Sequence, residues 1–153
     1  FSPQICYIIE IQRKRNFNQV HSSGAGSFCF TSAVTFIDAE YFKMKVRKDI
    51  CEWKMAYKHL SGVDTLDIDK LVIHVNDQHI GPGYAKASPE VFNTIKSLAR
   101  TEGLFLDPVY SGKAFHGLAE EIKAGRYQDA DDIVFIHTGG LFGLFAQQDQ
   151  VRF

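Results

Sequence analysis

A chain of 153 residues is long enough for one domain with a core of its own. Apolar residues make up 45% and charged residues 23%, the balance of an ordinary globular protein, and a net charge of −1 lacks the basic surplus that a nucleic-acid partner requires. No apolar run reaches the roughly 18 residues of a membrane span, no signal peptide is visible, and Cys6, Cys29 and Cys51 lack zinc-ligand spacing, which fits reduced thiols in the cytoplasm.

Ile5, Ile8 and Ile9 share one helical face, which predicts a helix over residues 4–15 that ends in the solvated basic run Arg13-Lys14-Arg15. FNQVH (17–21) reads as a weak strand before the small-residue loop SSGAGS (22–27). FCFTSAVTFIDAEYF is apolar all round and fits a buried helix, whereas FKMKV (42–46) alternates as a strand does. Ile50, Trp53, Tyr57 and Leu60 return to helical spacing, and KLVIHV (70–75) is a β-rich run. Glycines and Pro82 keep NDQHIGPGYAKAS irregular. Ser88-Pro89-Glu90 then marks a helix start, with a capping hydroxyl, a proline at the first helical position and an acid in the first turn. Val91, Ile95, Leu98 and Ala99 form the inner stripe of that helix. After the loop DPVYSG (107–112) a further helix turns Ala114, Phe115, Leu118, Ala119 and Ile122 to the core and stops at Gly125. DIVFIH (132–137) is a strand that feeds the turn Thr138-Gly139-Gly140.

Alternation of helices with short apolar strands predicts an α/β fold with a mostly parallel sheet, whose ligands sit beyond the carboxyl ends of the strands. Three loops fall there: SSGAGS, NDQHIGPGYA and HTGG. SSGAGS offers unobstructed backbone N–H groups to a phosphate, or is a plain turn. A dinucleotide-binding loop needs a third glycine where Cys29 stands, and a P-loop needs a Gly-Lys-Ser/Thr that is absent. Gly139-Gly140 can simply let the chain turn, and Tyr84 and Tyr110 can each pack a ring and satisfy a hydroxyl.

In combination, GPGYA, ARTEGLFLDPVYSGKAFHGL and VFIHTGGLFGLF resemble the D-cysteine desulfhydrase / 1-aminocyclopropane-1-carboxylate deaminase family, pyridoxal 5′-phosphate (PLP) enzymes with the two-domain fold of the tryptophan synthase β-subunit. The match is dense over residues 81–145, looser around SSGAGS and poor over residues 28–70; GYAKAS lacks the glycine and proline that often follow this tyrosine. The resemblance implies that Tyr84 and Tyr110 approach the substrate, and that Ser23, Gly24, Ala25, Gly26 and Ser27 hold the phosphate. It implies a neutral hydroxyl against the ring nitrogen, Thr138 beside Gly139 or, nearby, Ser111. A neutral partner leaves that nitrogen largely unprotonated and favours loss of a β-substituent over racemisation. An acid in place of Ser111 would point to the deaminases; the serine leans toward D-cysteine.

Two features depart from the family. Bulky Phe28, Cys29 and Phe30 follow the phosphate loop, and the Schiff-base lysine with its Ser/Gly-Asn-His signature is not found. Lys113 matches a family lysine of a different kind, expected to pair with a neighbouring acid at a helix start. Residues 1–153 are therefore expected to be the C-terminal portion of a longer cytoplasmic enzyme, a homodimer acting on a small amino acid, with an N-terminal half supplying the lysine. A non-catalytic remnant binding a phosphate-bearing ligand or a protein partner is the alternative.

Overall fold

The computed structural model describes residues 6–11, 27–31, 39–62, 64, 72–128, 130 and 132–151. In chain order these form β1 (Cys6–Ile11), β2 (Ser27–Thr31), α1 (Ala39–Ser61), β3 (Val72–Asn76), α2 (Pro89–Glu102), α3 (Ser111–Lys123), β4 (Asp132–Ile136) and a final 3-10 helix (Leu141–Gln147). The sheet order is β3-β2-β1-β4. β1 runs antiparallel to β2 and β4, with Tyr7 opposite Ile136 and Phe30, while β2 and β3 are parallel, with Ser27 opposite Val72. The described sheet is thus mixed, and the expectation of a mostly parallel one is corrected.

Two local expectations are overturned. The predicted helix over 4–15 is the strand CYIIEI where described. Its isoleucine spacing satisfies a helix, yet a β-branched and aromatic run placed between two strands gains more from ladder pairing. FKMKV lies inside α1. Phe42 and Val46, four residues apart, are buried on one helical face, a pattern that an alternating five-residue window also produces. Of the predicted helix from Phe28 to Phe42, residues 28–31 belong to β2 and α1 begins at Ala39. The predicted strand at 17–21 lies outside the described residues. Trp53 and Leu60 keep their helical spacing but are 58% and 85% exposed, so that stripe faces outward here. None of the described helices is long and apolar enough to cross a membrane.

The second half follows the sequence closely. Pro89 opens α2, although the Ser88 side chain does not cap the backbone. It bonds the exposed Glu90 carboxyl instead and holds it below the usual range. Gly103, left-handed at φ 68°, closes the helix. Val91, Ile95 and Leu106 form one buried core, with Leu98, Phe115, Phe135 and Leu144 against it. The rings of Phe115 and Phe135 meet edge to face at 5.2 Å, fastening α3 to β4. Ala114 and Leu118 are buried as expected, whereas Ile122 is 47% exposed, and Gly125 turns the chain away after α3.

Candidate active site

The site is built on Asp107, 1% exposed on the segment between α2 and α3. One carboxylate oxygen accepts the N–H groups of Val109 at 2.8 Å and Tyr110 at 2.7 Å. The other accepts the N–H of Ser111 at 2.9 Å and its hydroxyl at 2.5 Å. The Ser111 hydroxyl in turn accepts the N–H of Asp107 at 2.9 Å. An acidic side chain thereby satisfies the orphan donors at the start of α3, where the helix dipole favours negative charge. Pro108 rigidifies the turn and places no N–H among the donors. The fold therefore aims Tyr110 by gripping the peptide groups on both sides of it.

On the far side of Asp107 runs the turn after β4. A Cβ on Gly140 would lie 2.7 Å from an Asp107 carboxylate oxygen, and Gly140 sits at φ 93°. Only glycine meets both demands. Gly140→Ala is expected to cost about 2–4 kcal/mol from left-handed strain and overpacking, read as a lower midpoint in chemical denaturation. The same turn is tied by His137, whose Nε2–H donates to the Phe105 carbonyl at 2.9 Å while Nδ1 accepts the Gly139 N–H at 3.0 Å. A carbonyl can only accept and an amide N–H can only donate, so His137 is the neutral Nε2–H tautomer. Half-buried Thr138 rides between these fixed points, and a Cβ on neighbouring Gly139 would meet nothing within 4 Å, so the backbone is open there.

The GPGYA loop completes the arrangement. Tyr110 Oη donates to Tyr84 Oη at 3.1 Å, with ring centroids 6.1 Å apart and tilted 64°. Burial, then the hydrogen bond and proximity of Tyr84, then the charge of Asp107 push the Tyr110 phenol up to about 12. It is therefore a neutral donor at any physiological pH. Three contacts hold the loop: Lys113 Nζ donates to the Gly83 carbonyl at 2.8 Å, Gln147 donates to the Ala85 carbonyl at 3.1 Å, and His79 lies 3.4 Å from the buried Glu121 carboxylate. Arg126 pairs with the other oxygen of Glu121.

Asp107 thus holds the Tyr110 loop and meets Gly140 of the turn after β4, and Tyr110 in turn meets Tyr84. Ser111 is fully buried, and its hydroxyl both donates to and accepts from Asp107. Ser23, Gly24, Ala25 and Gly26 lie outside the described residues, and Ser27 opens β2. Lys113 pairs with a backbone carbonyl rather than with a neighbouring acid. Among the described residues no cluster of histidine, cysteine and carboxylate side chains could hold a metal. Asp107 carried a signal that the tyrosine on its loop obscures: an aspartate followed by proline in a turn can take up the N–H groups of the residues that follow.

Residues 38–139 match the family model described as pyridoxal-phosphate dependent enzyme. The chain is also similar to a Thermotoga maritima protein that carries the provisional name 1-aminocyclopropane-1-carboxylate deaminase, with 40% identity over 116 residues. That alignment covers 74% of this chain and 33% of the relative, so the chain spans about a third of the length of the protein it matches.

Proposed function

The chain belongs to the pyridoxal-phosphate dependent enzyme family, in its desulfhydrase and deaminase branch, and from that premise we propose that it forms the substrate side of a lyase site acting on a small amino acid, D-cysteine first. The products would be pyruvate, sulfide and ammonia, in a cytoplasmic homodimer. The observation that carries this reading is the Tyr84–Tyr110 hydroxyl pair, aimed from two loops that Asp107 and Lys113 hold in place.

The described residues fit the cofactor's ring and substrate sides. Hydroxyls stand on Tyr84, Tyr110 and Thr138, and the backbone at Gly139 is open to a planar group. Thr138 would stand against the ring nitrogen, with residues 23–27 on the phosphate. When bound, PLP supplies the electron sink that lets the α-proton and then the β-substituent leave. Tyr110 keeps its own proton: a phenol at about 12 donates a hydrogen bond to departing sulfur without ionising. Tyr84 orients that donor through the shared hydrogen bond.

The name of the Thermotoga relative favours a second reading, deamination of the cyclopropane amino acid. The test is to incubate the chain, completed by an N-terminal half that supplies the Schiff-base lysine, with PLP and each substrate. Sulfide and pyruvate from D-cysteine support the first reading; ammonia without sulfide, from the cyclopropane substrate only, supports the second; no turnover of either sinks both. Borohydride reduction and peptide mapping address the lysine. Lys113, 1% exposed and held by Gly83, is expected to carry no pyridoxyl label. A label there at high occupancy would overturn its assignment as a non-reacting residue.

A further inference from the structure

The geometry points to Lys113 as the residue that sets the distance between the two tyrosines: its ammonium holds the Gly83 carbonyl and thereby fixes the 81–86 turn so that Tyr84 meets Tyr110. This rests on the reading of those tyrosines as the substrate-facing groups.

Lys113 is 1% exposed, which is rare for lysine and costly unless the ammonium is partnered. Among the described residues its hydrogen-bond partner is the Gly83 carbonyl at 2.8 Å. Burial lowers its proton affinity, and the nearby Asp107 charge works in the opposite direction. An apolar side chain of equal length would fill the slot without that desolvation cost, so what distinguishes lysine here is the reach of its amine. Both ends of that reach belong to the tyrosine site. Lys113 lies three residues after Tyr110, in the first turn of α3, and Gly83 immediately precedes Tyr84.

The packing is close along the stem. A Cβ on Gly81 would lie 3.7 Å from Lys113 Cε, so the glycine-rich turn wraps the side chain. The Gly83 carbonyl also accepts the N–H of Lys86 at 3.2 Å, closing the turn that carries Tyr84. A second tie near the tyrosine, Gln147 to the Ala85 carbonyl, is an exposed contact from the 3-10 helix. Removing the amine leaves Tyr84, already 52% exposed, on a turn whose remaining side-chain tie to α3, among the described residues, is His79 to Glu121, five residues before the tyrosine. Lys113 acts through the tyrosines and is a positioning residue.

The test uses the full chain labelled with 3-fluorotyrosine, whose more acidic phenol keeps the titration in a range where the protein stays folded. Fluorine NMR follows each tyrosine against pH, and Tyr110→Phe assigns the Tyr110 signal. Lys113→Met is expected to bring the Tyr110 midpoint about one unit closer to that of free 3-fluorotyrosine, because the Tyr84 hydrogen bond weakens. A folded Lys113→Met protein with an unchanged Tyr110 midpoint overturns the proposal. Should this variant not fold, the wild type decides. A lysine Nζ–H signal that exchanges slowly and couples to the Gly83 carbonyl supports the tether, and its absence overturns it. Neither readout needs cofactor or substrate, so the proposal and the lyase reading can fail separately.

Discussion

Asp107→Ala is expected to remove about 3–5 kcal/mol of stability, the largest loss from any single substitution near the site. The arithmetic follows from what the carboxylate holds: three backbone N–H groups and the Ser111 hydroxyl, all within 2.9 Å. Each buried donor left unpaired costs about 1–3 kcal/mol, less where water can enter. Ser111 is 0% exposed and gains little from water, whereas the Val109 and Tyr110 amides lie on half-buried residues. For a chain of this length each kcal/mol shifts Tm by about 2–4 °C, so a drop on the order of 10 °C is expected in a thermal melt. Asp107→Asn should cost less but not nothing, because its amide N–H₂ would face donors where the second oxygen now accepts. A melt of Asp107→Ala indistinguishable from wild type would remove Asp107 from the centre of the site.

That outcome would also test why the site was only half legible in the sequence. Tyr84, Tyr110 and Thr138 stand on loops whose proline and glycine content marks them, and the structure brings those loops together. What holds them was harder to read. The task of Asp107 depends on the approach of Gly140 from β4, 33 residues onward, and that of Lys113 depends on a carbonyl 30 residues upstream. Tertiary proximity of this kind leaves no local periodicity. Ser111 shows the reverse case: its motif position suggests a ligand contact, and here its hydroxyl donates to Asp107.

The fold divides the same way. α2, α3, β3 and β4 carry caps, stop glycines or β-rich runs, and each is found where the residues predict it. β1 and the start of α1 fail because a few apolar residues at mixed spacing satisfy both periods. Pairing partners, which no short window contains, then decide. β1 is flanked by β2 and β4, and Phe42 and Val46 find a common buried face only in a helix.

Tyr110→Phe separates function from stability. The lost hydroxyl leaves Tyr84 Oη to water at a 52% exposed side chain, so the fold should lose no more than about 1 kcal/mol. Turnover of the preferred substrate should nonetheless fall by about 10²–10³-fold, the usual cost of deleting a positioned hydrogen-bond donor to a developing anion. If Tyr110 only orients a substrate that binds equally well before and during reaction, KM will rise while kcat stays put, and its role as a donor to the leaving group is refuted. The pH profile adds an independent check. With the folded-state phenol pushed up to about 12, Tyr110 stays protonated through neutral and moderately alkaline solution, and no activity limb below about pH 11 should trace to it. The linkage has a definite sign. Between the ordinary tyrosine value near 10 and about 12, the unfolded chain has released a proton that the folded chain keeps, so stability falls as pH rises through this window. Tyr110→Phe should flatten that decline, because phenylalanine has no proton to lose. Tyr84→Phe should only move its upper edge downward, since burial, the largest cause of the shift, would remain.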